Sequence, residues 1–449
     1  MKNMISVRDE ESGATAAGRG RLRLPRLLRS RLLLPALFAL TFLPAAILAQ
    51  EADDPFSLEE FNSGVQAAVE SEESSTTEFL VGGTLVPSVT ATVTGEWDGY
   101  AASGSLSGKV FAKATLADYG SLFASVGITQ QFFQGRGGSL PGFSQGTENP
   151  LYAPTLTLTE MHWSFDIAKK LFVRFGNQLV AWGPSKIWSA VDFINLEKAD
   201  AFTGVDLRVG KPGLRFHMPL DNSNLFAFAD FSGTVEDVSS TSTPDYRIQD
   251  FFETTNLGLR YDLALSGFEF GFTGYGGADV QCRAGFDFSG RALGGTIYGE
   301  AAVLPAYGDY DFSWSAVAGI ERKLGELKKA TLSGEFFYNS LGADDESSYP
   351  AAWTDAGASF QPNYAGKYYA YSGLNLEDFL AEGLNSSLSV LSNLSDMSFS
   401  VRLTEAFDLP GIPPFSLILG WAGGGEKKAY TYFSDDNAVS LSLRSTISF

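Results

Sequence analysis

LGLRYDLALSGFEFGFTGY, residues 257–275, decides how the rest of this sequence is read. Leu257, Leu259, Tyr261, Leu263 and Leu265 alternate with Gly258, Arg260, Asp262 and Ala264; beyond Ser266 and Gly267, Phe268, Phe270 and Phe272 alternate with Glu269, Gly271 and Thr273. A side-chain period of two belongs to a strand, and a Ser-Gly link between two such runs makes a β-hairpin. One side of this hairpin is apolar and the other polar. Either could face a core, so the pattern by itself fits a soluble sandwich as well as a membrane barrel.

The pattern of the whole chain separates the two. Runs of the same kind continue in one series from about residue 80 to residue 449, and they predict eighteen strands, the first over 80–94 and the last over 438–449. The polar face carries Arg, Asp and Glu dotted with Gly, while the apolar face is rich in Phe and Leu. Gap lengths also alternate. The long gaps, 133–153, 183–203, 234–254, 340–366 and 423–437, all follow odd-numbered strands, whereas gaps such as 168–170 follow even-numbered ones and are short. Long loops on one side and tight turns on the other are the pattern of an outer-membrane barrel. The expected fold class is therefore all-β, a transmembrane antiparallel up-and-down β-barrel of about 18 strands (16–18).

One assignment depends on that parity. In VDLRVGKPGLRFHMP the apolar phase slips from Val205, Leu207 and Val209 to Leu214, Phe216 and Met218. A turn at Lys211-Pro212-Gly213 would put the long gap 234–254 on the short-turn side. A β-bulge slips the phase by one residue and keeps every long loop on one side, so the bulge is the expectation.

Composition agrees. Aromatic residues make up 13%, Gly numbers 48 and Cys282 is the only cysteine, which suits a repetitive β architecture and excludes a disulfide scaffold. Cys282 falls on the apolar phase beside Ala284 and Phe286 and reads as a small apolar residue. Mean hydropathy is −0.00, too polar for a helical membrane protein. The single long apolar run, LLLPALFALTFLPAAILA at 32–49, follows six arginines between Arg19 and Arg31 and reads as a signal peptide over 1–49; an uncleaved anchor is the alternative. An acidic segment rich in Ser and Thr, 50–77, leads into the barrel at 78–449. The chain carries a net charge of −20, more negative still without its Arg-rich start, so nucleic acid is not an expected partner.

The last stretch, VSLSLRSTISF at 439–449, is a strand with Val439, Leu441, Leu443, Ile447 and Phe449 on one side. It resembles the C-terminal signal of Gram-negative outer-membrane β-barrels, which their barrel-assembly machinery recognises. That resemblance implies Phe449 as an assembly signal and the outer-membrane bilayer as surroundings. An even strand count lets the last strand pair with the first, so no edge is left open.

Barrels of about 16–18 strands can leave an aqueous channel. The strand phase points Glu160, His162, Arg174, Gln178, Arg208, Arg215, Arg260, Glu269 and Arg283 toward the lumen, together with Asp287, Glu300 and Glu335. Charges of both signs suit a pore for small polar solutes or ions. The gap AWGPSKIWSAVDFINLEKADAF, 181–202, is too apolar for a solvent loop. Ile187, Val191 and Ile194 recur at helical spacing, so a short helix lying against the inner wall is expected, with Lys186, Trp188, Asp192, Asn195, Lys198 and Asp200 as pore-constriction candidates. A plug without a part in selectivity is the alternative. The stretch resembles predicted outer-membrane porins grouped with alginate-export-like barrels, in Trp182-Gly183, Trp188, Asp192 and Asn195; Ala190 and Leu196 stand where that pattern has proline. The resemblance implies a porin.

Rival functions find little support. An outer-membrane hydrolase needs a Ser or Asp with His, and His162 and His217 both take the lumen phase. No metal-ligand spacing and no cofactor motif stands out. A structural or adhesive barrel, using loops 234–254 and 340–366, remains the second reading. An apolar ladder for apolar cargo would need more than Phe123, Phe228 and Phe337 on the polar phase.

Overall fold

The structure, a computed structural model, describes residues 77–94, 99–136, 153–195, 210–233, 254–277, 280–306, 311–325, 329–344, 366–425, 428, 430 and 437–449. The expected signal peptide and the acidic segment up to residue 76 lie outside the described residues, as do Lys198, Asp200 and Arg208.

Eighteen strands follow one another: β1 Glu78–Thr94, β2 Gly99–Thr115, β3 Ser121–Arg136, β4 Thr155–Ile167, β5 Leu171–Gln178, β6 Lys211–Pro219, β7 Ser223–Asp230, β8 Asn256–Leu265, β9 Phe268–Gly276, β10 Arg283–Ala292, β11 Gly295–Leu304, β12 Ser313–Leu324, β13 Ala330–Asn339, β14 Tyr368–Leu376, β15 Leu384–Asn393, β16 Ser398–Phe407, β17 Phe415–Gly423 and β18 Ala438–Ser445, the last resumed at Ile447–Ser448. Each pairs antiparallel with the next, and β1 pairs with β18, so the sheet closes on itself. Closure satisfies the backbone groups that an open sheet would leave along its edges.

The tight turns have the geometry that short hairpins require. Ser266 and Gly267 both have positive φ (55° and 81°), as do Leu293 and Gly294 (56° and 73°). Positive φ at both central residues matches the right-handed twist of the flanking strands. Lys211, Pro212 and Gly213 lie inside β6, opposite Gln178, Asn177 and Gly176, so they form no turn. The other half of the predicted phase slip, Val205 to Val209, lies outside the described residues.

Leu257, Leu259, Phe272, Leu419, Trp421 and Leu441 are all exposed on the outer face, where the sequence phase puts them. The apolar core is on the inside, between the wall and the segment that follows β5.

The seam between β1 and β18 holds one register from Thr94 opposite Ala438 to Thr84 opposite Ser448. Beyond it Gly83 and Phe449 exchange backbone bonds of 3.0 and 3.1 Å. A Cβ on Gly83 would stand 2.9 Å from Phe449 Cζ, and one on Gly82 would stand 2.8 Å from Phe111 Cζ. Each glycine thus leaves room for a ring. Gly83→Val is expected to lower the yield of heat-modifiable folded barrel several-fold on a gel, whereas Gly274→Ala, whose Cβ meets nothing nearer than 3.9 Å, leaves it unchanged.

Candidate functional site: an infolded segment and the lumen wall

After Gln178 the chain leaves the wall and turns inward. Residues 179–195 form bends and extended stretches with no helix, in place of the expected short helix. The reason is where the backbone N–H groups go. A helix would bond them to carbonyls four residues back, but here two carboxylates of the wall take them.

Glu300 of β11 accepts from the backbone N–H of Ser185 (2.9 Å), Ala190 (2.7 Å) and Val191 (3.3 Å), and from the hydroxyls of Ser185 and Ser189. Glu335 of β13 accepts from Lys186 (2.8 Å), Ile187 (3.1 Å) and Trp188 (2.8 Å), and from the Tyr298 hydroxyl at 2.9 Å. Both carboxylates are buried, at 3% and 4% exposure. Bonds to an ionised acceptor are roughly twice as strong as neutral ones, and successive N–H groups converging on one anion form a nest. Lys186 Nζ adds an ion pair with Glu321 of β12.

Apolar packing completes the seat. Trp188 stacks on Phe337 at 5.6 Å between ring centroids and leans on Tyr369, in a cluster with Ala302, Leu304, Val317 and Leu391. Val180, Trp182 and Ile194 pack on Phe228 of β7. Glycines of the wall make the approach possible. A Cβ on Gly258 would lie 2.7 Å from Trp182 Cη2, and one on Gly285 would lie 2.8 Å from Val191 Cγ1. Gly183, at φ +89°, passes so close to Glu300 that a Cβ would sit 2.3 Å from its Oε1. Asn195 Nδ2 donates to the Val180 carbonyl at 2.7 Å and draws the two ends of the excursion together.

This placement revises the constriction candidates. Trp188, Asp192 and Asn195 are buried within the segment's seat; Lys186 is the partly exposed member among those described. The lumen candidates divide in the same way. Glu160 pairs with Lys109 at 3.3 Å and accepts the Leu179 N–H, while Arg174 Nε donates to Ser164 Oγ at 3.0 Å. His162 is buried against Phe123, and Arg215 lies 5.3 Å over the Phe226 ring. His217, stacked between Phe172 and Phe226, is also inside. Gln178 is fully buried and ties Arg174 O to Gly213 O. Arg260 is committed to Asp287 (2.6 and 3.0 Å) and Asp262 (2.7 Å), so it stiffens the wall. Glu269 is exposed near a turn, and Arg283 is half-buried beside Tyr275.

Glu300 and Glu335 fall on the lumen phase in the sequence, but nothing local marks them as anchors. The available signal was Phe228 and Phe337 at positions where the wall should be polar. Among the described residues no group of His, Cys, Asp and Glu is arranged to hold a metal ion.

No protein-family model matches this sequence, and no curated protein matches it. Solved structures do. OccK1 (OpdK) of Pseudomonas aeruginosa aligns with a TM-score of 0.50 at 9% identity, over 83% of this chain and 99% of that one. OccK2 (OpdF) of the same organism, in complex with glucuronate, aligns at 0.49 and 9%, over 83% and 98%. OccD3 (OpdP) aligns at 0.48 and 11%, over 82% and 91%. At such identities the likeness to OccK1 is one of fold alone, a closed antiparallel β-barrel.

Replacing Glu335 by Leu strands the buried N–H of Trp188 and the half-buried ones of Lys186 and Ile187, at up to about 1–3 kcal/mol for each donor left without an acceptor. Trypsin is expected to cut the folded variant after Lys186 at least tenfold faster than the parent. Glu269→Gln, at an exposed carboxylate, leaves the cleavage rate unchanged.

Proposed function

We propose that the chain is an outer-membrane, porin-like channel for passive diffusion of small polar solutes or ions, and not an enzyme, with the segment after β5 narrowing the lumen. The short turns would then face the periplasm, and Phe449 would serve the barrel-assembly machinery. The observation that carries this reading is the one-sided seat of the infolded segment. It rests on the wall from β7 to β15, so a passage would run along the inner faces of β16 to β18 and β1 to β6.

Those faces carry Lys109, Lys113, Arg174, Lys211, Arg215, Arg402 and Arg444 against Glu78, Glu160 and Asp166. A wall dominated by one sign concentrates ions of the other, so anions are the favoured passengers. Lys186, partly exposed on the infolded segment and paired with Glu321 of β12, would be the selectivity residue of the loop side. An adhesive or structural barrel is the competing reading, and it requires a lumen closed to ions.

Residues 50–449, refolded into planar bilayers, are expected to give steady single-channel conductance with chloride more permeant than potassium. Deleting residues 184–201 raises the conductance, and Arg174→Gln with Arg215→Gln brings the permeability ratio toward one. Absence of conductance from a heat-modifiable, folded barrel would sink the channel reading and leave the adhesive one.

A further inference from the structure

The turn end of the barrel is unexpectedly apolar. Tyr119, Ile167, Leu220, Leu293, Leu380 and Ile412 stand at six of the eight short turns, each 50 to 78% exposed, and Leu265 flanks a seventh. Turns between strands are normally polar because water covers them. Large exposed apolar patches mark a surface that meets something other than water.

Three further observations say what covers these tips. They recur around the whole circumference, from the β2–β3 turn to the β16–β17 turn, whereas a docked protein would cover one sector. Only a fluid that encircles the barrel meets them all. Secondly, β5 and β7 have 8 residues each, below the ~9–11 that a tilted strand needs to cross a bilayer. The β4–β5 and β6–β7 turns beside them supply the missing apolar height. Thirdly, Leu293 occupies a left-handed position, φ 56°, that Asn or Gly holds with far less strain. A strained, water-exposed leucine has no use in an aqueous turn.

Two acidic side chains of these turns are held from within. Asp166 accepts the Lys169 N–H at 2.8 Å; Asp378 accepts the Gly383 N–H at 2.8 Å and pairs with Lys329 at 2.9 Å. Trp163, on the outer face of β4, donates its indole N–H to the Tyr119 carbonyl at 2.8 Å and ties that turn to the lipid side.

We propose that the turn tips form an apolar collar seated at the headgroup–acyl boundary of the phospholipid leaflet on the turn side, with the charged turn residues reaching up to the headgroups. The proposal rests on the membrane-barrel reading above. The collar fixes the depth of the barrel and, at β5 and β7, makes up for short strands.

The test uses the full barrel in a Cys282→Ala background, with single cysteines at Tyr119, Leu293 and Leu380 carrying an environment-sensitive fluorophore. Leu441→Cys, in the middle of an outer strand, is the reference. In phosphatidylcholine vesicles, nitroxide placed shallow on the acyl chain is expected to quench all three tips at least threefold more than aqueous iodide does, and a deep nitroxide quenches Leu441→Cys most. Tips quenched by iodide and not by nitroxide overturn the collar. Lipid quenching at one tip with the other two shielded from both quenchers also overturns it, in favour of a protein partner or a second copy. Failure of the Leu441 reference to feel lipid would instead refute the membrane reading itself.

Discussion

Two buried carboxylates organise the inside of this barrel. Glu300 and Glu335 each take at least three backbone N–H groups from one short segment, and that segment would otherwise carry unpaired donors into the lumen. A buried carboxylate without partners is costly, and so is a buried N–H without an acceptor. Each removes the other's penalty. The rest of the interior follows from that pairing: the glycines that let the backbone come close and the aromatic seat for Trp188.

The same pairing explains why the segment is not a helix. Its apolar residues sit at helical spacing, yet a helix would turn its N–H groups onto its own carbonyls and leave both wall carboxylates bare. Pro184 also removes one donor near the start. Tertiary demand overrode local periodicity, as happens where polar groups must be satisfied at a distance.

The barrel itself was legible because its information is local. Period-two alternation, the Ser266-Gly267 turn and the alternation of gap lengths are each readable within a few residues, and together they give the strand count and the closure with Phe449. The site was legible only in part. That residues 181–202 fold inward followed from their apolar content, but their acceptors lie 109 to 149 residues away along the chain. No pattern in one sequence ties Lys186 to Glu335 or Val191 to Glu300. For the same reason the burial of Trp188, Asp192 and Asn195 was not legible in the sequence. Phe228 and Phe337, two apolar residues on a polar phase, were the trace that the interior leaves in the sequence.

The account stands or falls on the infolded segment being held as firmly as the wall. Backbone hydrogen exchange of the folded barrel in detergent or nanodiscs tests this directly. Amides of Ser185, Lys186, Ile187, Trp188, Ala190 and Val191 are predicted to exchange as slowly as those of β11 and β13, and to become fast together when Glu300 and Glu335 are both replaced by Ala. Exchange of these amides within seconds in the parent protein, beside a protected wall, would contradict the central claim.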